Sequence, residues 1–218
     1  MIDIALLNRI LRNPDVVARE CRDDVDVAPI ARNALIAIAV GAALFGGVVG
    51  AWRGGPQIAF AALKMPLVML GTLVLCAPAF YGIAAAFGRA WSFRTVASLA
   101  LVAGARFSLV LLAAAPALWL TIDLGASYHL IKLVASVAYG LAGLAALGLL
   151  VRGLGNGPGK HTTIALFVGI FLMVGGQTAW ILRPYLGTPG QKDVALFTNE
   201  REGGVAVQLL KSIHELAP

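Results

Sequence analysis

Five long apolar runs, at about residues 34–51, 66–87, 95–122, 130–151 and 162–182, take up most of this chain, and none of them contains an Asp or a Glu. A bilayer core is spanned by roughly 20 apolar residues in a helix, so each run is long enough to cross a membrane or nearly so. The pattern predicts an all-α, polytopic transmembrane bundle of about five spans. Only 13% of the 218 residues are charged and 59% are hydrophobic, against about 25% charged in soluble domains. One membrane domain over 34–182 leaves a polar, amphipathic N-terminal segment (1–33) and a C-terminal piece (183–218) with no room for a large soluble domain.

The same acid-free spans remove the carboxylates on which ion-coupled pumps and intramembrane acid–base catalysis rely. The net charge of +6 points to anionic lipid headgroups rather than nucleic acid, because the Lys and Arg residues flank the apolar runs and form no basic stripe with interleaved aromatics. Cys21 lies in the polar segment and Cys76 in the second run, which argues against a disulfide, and no metal-ligand spacing is present. No catalytic residue set, metal or cofactor is expected. Ser127 beside His129 is no triad, and the glycine-rich 153–160 stretch lacks P-loop spacing. A lipid-modifying enzyme would have to draw on Asp123 with His129, or on Asp193.

Local signals mark the elements. Residues 1–12 carry apolar residues at helical spacing, and Asn13-Pro14-Asp15 restarts a helix, with Asn at the cap, Pro in the first turn and Asp at the positive helix end. Two short amphipathic helices at the membrane surface are expected. Gly54-Gly55-Pro56 is a turn, and residues 57–65, holding Lys64, are expected as a separate interfacial helix. Pro78 marks a kink in the second span, and Ser92 suits the N-cap of the third. Residues 205–216 have the spacing of an amphipathic helix.

Small residues mark where helices approach closely. Gly46 and Gly50 share a face of the first span, Gly104 precedes the charged point of the third, and Gly175-Gly176 lie in the fifth. Arg106 is that charged point. A cation inside a span must face protein, water or a lipid phosphate, or snorkel to the interface if the span starts only at Phe107. Gln177, backbone carbonyls and an anionic ligand are its candidate partners. The exit of the fifth span, with Gln177, Trp180, Arg183 and Tyr185, is either a lipid-headgroup or partner site or a well-built helix stop, since Pro184 discourages helical geometry at Arg183.

With the N-terminus in the cytoplasm, nine Lys and Arg residues flank the cytoplasmic side and seven the other, and the loop after Ile122 carries none up to Ile131. That asymmetry favours a cytoplasmic N-terminus.

The stretch Phe87-Gly88-Arg89-Ala90-Trp91-Ser92-Phe93, set between the second and third of five closely spaced runs, resembles the short connector of the YIP family of five-span membrane proteins. The exit segment GGQTAWILRPYLGTPG is similar to one in bacterial integral membrane proteins of undefined role. The resemblance implies a five-span architecture, a bacterial inner-membrane location and a non-enzymatic role. Eukaryotic YIP proteins are trafficking partners of small GTPases, but their long acidic N-terminal region has no counterpart here, and no functional residue carries over. The expected function is that of a non-catalytic subunit or organiser of a membrane complex, working with a protein partner or a second copy of itself. The alternative is a small transporter, channel or lipid-handling protein with a polar pocket around Arg106 and Gln177.

Overall fold

The computed structural model describes residues 3–155 and 159–182, with Trp180 described by its backbone alone. The described residues form seven helices and no strand: α1 (Ile4–Arg12), α2 (Pro14–Arg22), α3 (Val27–Ala51), α4 (Pro56–Ala86), α5 (Phe93–Asp123), α6 (Tyr128–Gly153) and α7 (Lys160–Ile181). Helices α3 to α7 carry the five apolar runs and are each long and apolar enough to cross a membrane. This is a polytopic transmembrane bundle. At 31 residues each, α4 and α5 are about 46 Å long at 1.5 Å per residue. That exceeds a hydrocarbon core of about 30 Å, so they tilt or reach into the headgroups.

The termini of these helices follow from local chemistry. Ser92 Oγ accepts from Thr95 N–H at 3.1 Å and caps α5, and Ser127 Oγ does the same for Leu130 N–H at 3.4 Å at the start of α6. Gly54 and Gly55 take φ of 76° and 58°, which glycine adopts without a Cβ clash, and Pro56 then starts α4 where its missing N–H costs nothing.

Residues 57–65 are not a separate interfacial helix. They are the first turns of α4, which runs unbroken through Pro66 and Pro78. The reason lies in α3. A Cβ on Gly46 would stand 2.5 Å from the Ala61 carbonyl oxygen, and one on Gly50 would stand 2.5 Å from that of Gln57. Between lipid-embedded helices, with no water to expel, close backbone approach of this kind supplies the packing energy. It draws residues 57–65 into the bundle and aligns them with the rest of α4.

Helix α3 packs on α4 and α5, α6 packs on α5, and α7 leans on α4 while scarcely touching α6. The order around the bundle is therefore α7, α4, α3, α5, α6, with a gap between its two outer members. Gly41 of α3 faces the Ser108 backbone, where a Cβ would come within 2.9 Å of the carbonyl oxygen. Gly104 of α5 receives Leu73 and Ile38.

The two N-terminal helices do more than rest on a membrane surface. Leu6, Ile10, Val17, Ala18 and Cys21 are buried in one cluster with residues of α3, α5 and α6, among them Ile30, Leu99 and Leu149. Asp3 N–H donates to Asn33 Oδ1 of α3 at 2.8 Å, and Asp3 Oδ1 caps α1 by accepting from Leu6 N–H at 3.1 Å. Ion pairs join Arg9 to Glu20, Arg94 to Asp24 and Arg152 to Asp15. The hairpin thus closes one end of the bundle, and the turns at 52–55 and 124–127 form the other.

Candidate functional site

Arg106 lies thirteen residues beyond the first residue of α5. A long helical side chain points back along its helix toward the N-terminus, and for Arg106 that direction leads to the end closed by α1 and α2. Among the described residues, Asp15 of α2 and Arg152 of α6 are the charged residues near enough to act on it. Its Nε and Nη1 are buried and make no hydrogen bond among the described residues. Among the described residues it is a partly buried cation with one anion and one like charge in its surroundings. Chemically, its free N–H groups form a fork suited to a carboxylate or phosphate.

Gln177 is placed elsewhere. It is exposed near the last turn of α7, at the opposite end of the bundle. The structure does not bring Arg106 and Gln177 into one site. Arg183 and Tyr185 lie outside the described residues, as do the turn at 183–190, Asp193 and the amphipathic stretch at 205–216; of Trp180, only the backbone is described. Gly46, Gly50 and Gly104 pack as given above. Gly175 lies against Thr72, where a Cβ would meet Cγ2 at 3.3 Å, whereas nothing lies within 4 Å of a Cβ at Gly176. Asp123 and His129 are both exposed beside the 124–127 turn, and the His129 ring lies 5.8 Å from that of Tyr128. Cys21 and Cys76 are both buried and free.

Two basic residues are more enclosed than the sequence indicates. Lys64 is only 2% exposed, inside α4. Its signal was present, a lysine within an apolar stretch, but a helix start placed at Pro66 hid its membrane depth. Arg89, in the turn before α5, donates from Nη1 to the Leu154 carbonyl at 2.5 Å and lies over the Trp91 ring at 4.9 Å. Burial pulls its pKa below the usual guanidinium range.

A cavity of about 460 Å³ lies inside the gap between α6 and α7. Phe45, Met69, Phe107, Leu111 and Phe171 form much of its wall, and Lys132 and Ser136 of α6 border it. Neither Arg106 nor Gln177 lines it. No sequence pattern announces this cavity, because its walls come from five helices and its existence depends on α7 standing away from α6.

Among the described residues α7 is the span with the smallest buried share, and its outer side is open. Thr162, Ala165, Leu166, Gly169, Met173 and Gln177 are all exposed, and nothing lies within 4 Å of a Cβ at Gly169. Comparison with family models, with curated proteins and with solved structures finds no match to this chain.

Proposed function

We propose that this chain is a non-catalytic integral membrane protein that acts as a subunit or organiser of a membrane complex, joined to a partner helix along the outer face of α7. The observation that carries this reading is the composition of that face. Ala165 and Gly169 leave a shallow groove, and Gln177 presents an amide outward near the end of the span. A small-residue groove admits a second helix closely, and an amide facing hydrocarbon is satisfied best by a hydrogen bond across a helix pair. Among the described residues α7 is held almost only by α4 and is the least buried of the five spans, which leaves surface for another protein or a second copy.

In this reading the protein is YIP-like and sits in a bacterial cytoplasmic membrane with its N-terminus inside. The basic excess on the N-terminal side and the loop from Ile122 to Ile131 without Lys or Arg support that orientation. A transporter built around Arg106 and Gln177 gains no support from residues placed at opposite ends of the bundle.

Gentle-detergent purification of the tagged chain from its native membrane tests the assembly. The expected result is a complex of fixed stoichiometry that Gly169→Leu and Gln177→Leu weaken together. A chain that elutes alone, unchanged by either substitution, would contradict it.

A further inference from the structure

The cavity between α6 and α7 lies in one leaflet. Its lining includes Val49, two residues before the end of α3, Ala179, two before the end of α7, and Lys132, four after the start of α6. At depth it ends near Thr72 and Phe107, in the middle turns of α4 and α5. It therefore runs from the interface at the 52–55 and 124–127 turns to about the bilayer centre, in the leaflet away from α1 and α2. The tilted ring pair of Trp52 and Tyr128, with centroids 5.1 Å apart and planes at 52°, marks the interfacial level at that end.

Water is a poor occupant. At about 30 Å³ per liquid water molecule, the space would take on the order of fifteen, and each needs two to four polar partners. The polar groups in the wall are few and partly spent. Tyr139 O–H donates to Met65 Sδ at 3.0 Å, and Ser136 O–H donates to the Lys132 carbonyl at 2.8 Å. An apolar cavity of this kind takes up apolar molecules when they are present, and the medium outside its opening is hydrocarbon.

The opening is lateral. Lys132 and Ser136 on α6 and Leu172 on α7 are the exposed residues of the lining. Lys132 stands at headgroup height, and no carboxylate among the described residues pairs with it. Deep in the wall, Thr72 is 1% exposed, and its Oγ1 has no hydrogen-bond partner among the described residues. An apolar slot with a cation at its interfacial mouth has the polarity of an anionic amphiphile, with the headgroup at Lys132 and the chain along the apolar wall.

We infer that this cavity is a lipid site. It takes one acyl chain of an anionic phospholipid from the adjoining leaflet, and Lys132 holds the phosphate. The inference rests on the cavity and does not depend on assembly through α7.

The test uses the full chain reconstituted into vesicles of phosphatidylglycerol, phosphatidylcholine or an equal mixture, then extracted and weighed by native mass spectrometry under matched delipidating conditions. Wild-type protein is expected to retain one lipid and to select phosphatidylglycerol from the mixture. Gly176→Phe, which fills the slot from a position with open space for a Cβ, is expected to lower occupancy at least tenfold. Lys132→Gln, at an exposed position, is expected to keep the bound chain and lose the headgroup preference. Leu144→Phe, at a lipid-facing position of α6 that is 67% exposed, is expected to behave as wild type. Wild-type protein that retains no lipid would overturn the inference. So would equal retention by wild type and Gly176→Phe, which would mean annular lipid alone. Protection of the slot by the chain's own C-terminal residues, seen as their cross-linking to a cysteine placed at Leu172, would also overturn it. Should Gly176→Phe fail to fold, the headgroup selectivity of Lys132→Gln decides the matter, and unchanged selectivity counts against the site.

Discussion

Arg152 at the end of α6 reaches Asp15 in the first turn of α2, with 3.5 Å between Nη1 and Oδ2. The pair is half-exposed, at 51% and 59% of the two side chains, so by itself it contributes about 1 kcal/mol or less. Its importance lies in what stands near it. Arg106 is attracted by Asp15 and repelled by Arg152. The two ends of one ion pair therefore have opposite effects on the same partly buried cation.

This asymmetry predicts unequal outcomes for two substitutions that break the same pair. Asp15→Asn removes the acid that, among the described residues, attracts Arg106, and leaves the repulsion from Arg152 unopposed. It should lower thermal stability in detergent more than Arg152→Gln, which also relieves a repulsion and should be neutral to within about 0.5 kcal/mol. Equal losses from both would show that Arg106 does not feel the pair.

The α3–α4 contact should be intolerant of added atoms. Gly46→Ala places a methyl group 2.5 Å from the Ala61 carbonyl oxygen, so the helices must separate, at a cost of about 1–3 kcal/mol. Gly140→Ala, on α6 with nothing within 4 Å, should be neutral or slightly stabilising because alanine is the better helix former. Denaturant titration in mixed micelles, followed by circular dichroism, distinguishes the two.

Docking of α1 should depend on a single amide. Asn33 is 1% exposed. Its Oδ1 accepts from Asp3 N–H, and its Nδ2 donates to the Pro29 carbonyl at 2.9 Å. Asn33→Leu removes the bond to the exposed Asp3 N–H, a net loss of about 0.5–1.5 kcal/mol. Hydrogen exchange in residues 4–12 should accelerate while that of α5 stays slow. Unchanged exchange in α1 would show that apolar packing alone holds it.

The hairpin should also be sensitive to alkali. Burial, aided by the neighbouring charge of Glu20, pushes the Cys21 thiol from 9.0 up to about 12. The folded state thus favours the neutral thiol. Its contribution is complete below pH 9 and is lost as pH rises from 9 toward 12. In a Cys76→Ala background, maleimide labelling of Cys21 should stay slow through pH 9 and rise steeply above it as the hairpin releases. Fast labelling at pH 7 would place Cys21 outside the packed core.

The spans were legible because hydrocarbon imposes a simple rule: long acid-free runs become helices. The Ser92 cap and the Gly54-Gly55-Pro56 turn were legible because each rests on one or two residues' own backbone preferences. The continuity of residues 57–65 with α4 was not, because it depends on Gly46 and Gly50 of another helix. The environment of Arg106 was hidden for a similar reason: its charged neighbours come from α2 and α6, far away in sequence. The cavity wall consists of ordinary span residues, and only their placement around a gap makes it a site.

Assembly through the outer face of α7 is open to cross-linking within the native membrane. In a chain lacking Cys21 and Cys76, single cysteines are placed at Ala165, Gly169 and Met173 on that face, and at Leu133 and Leu144 on the exposed side of α6. A cross-linked adduct of one defined mass is expected from the three α7 positions and none from the two on α6. Absence of any adduct from α7, or the same adducts from both helices, would contradict it.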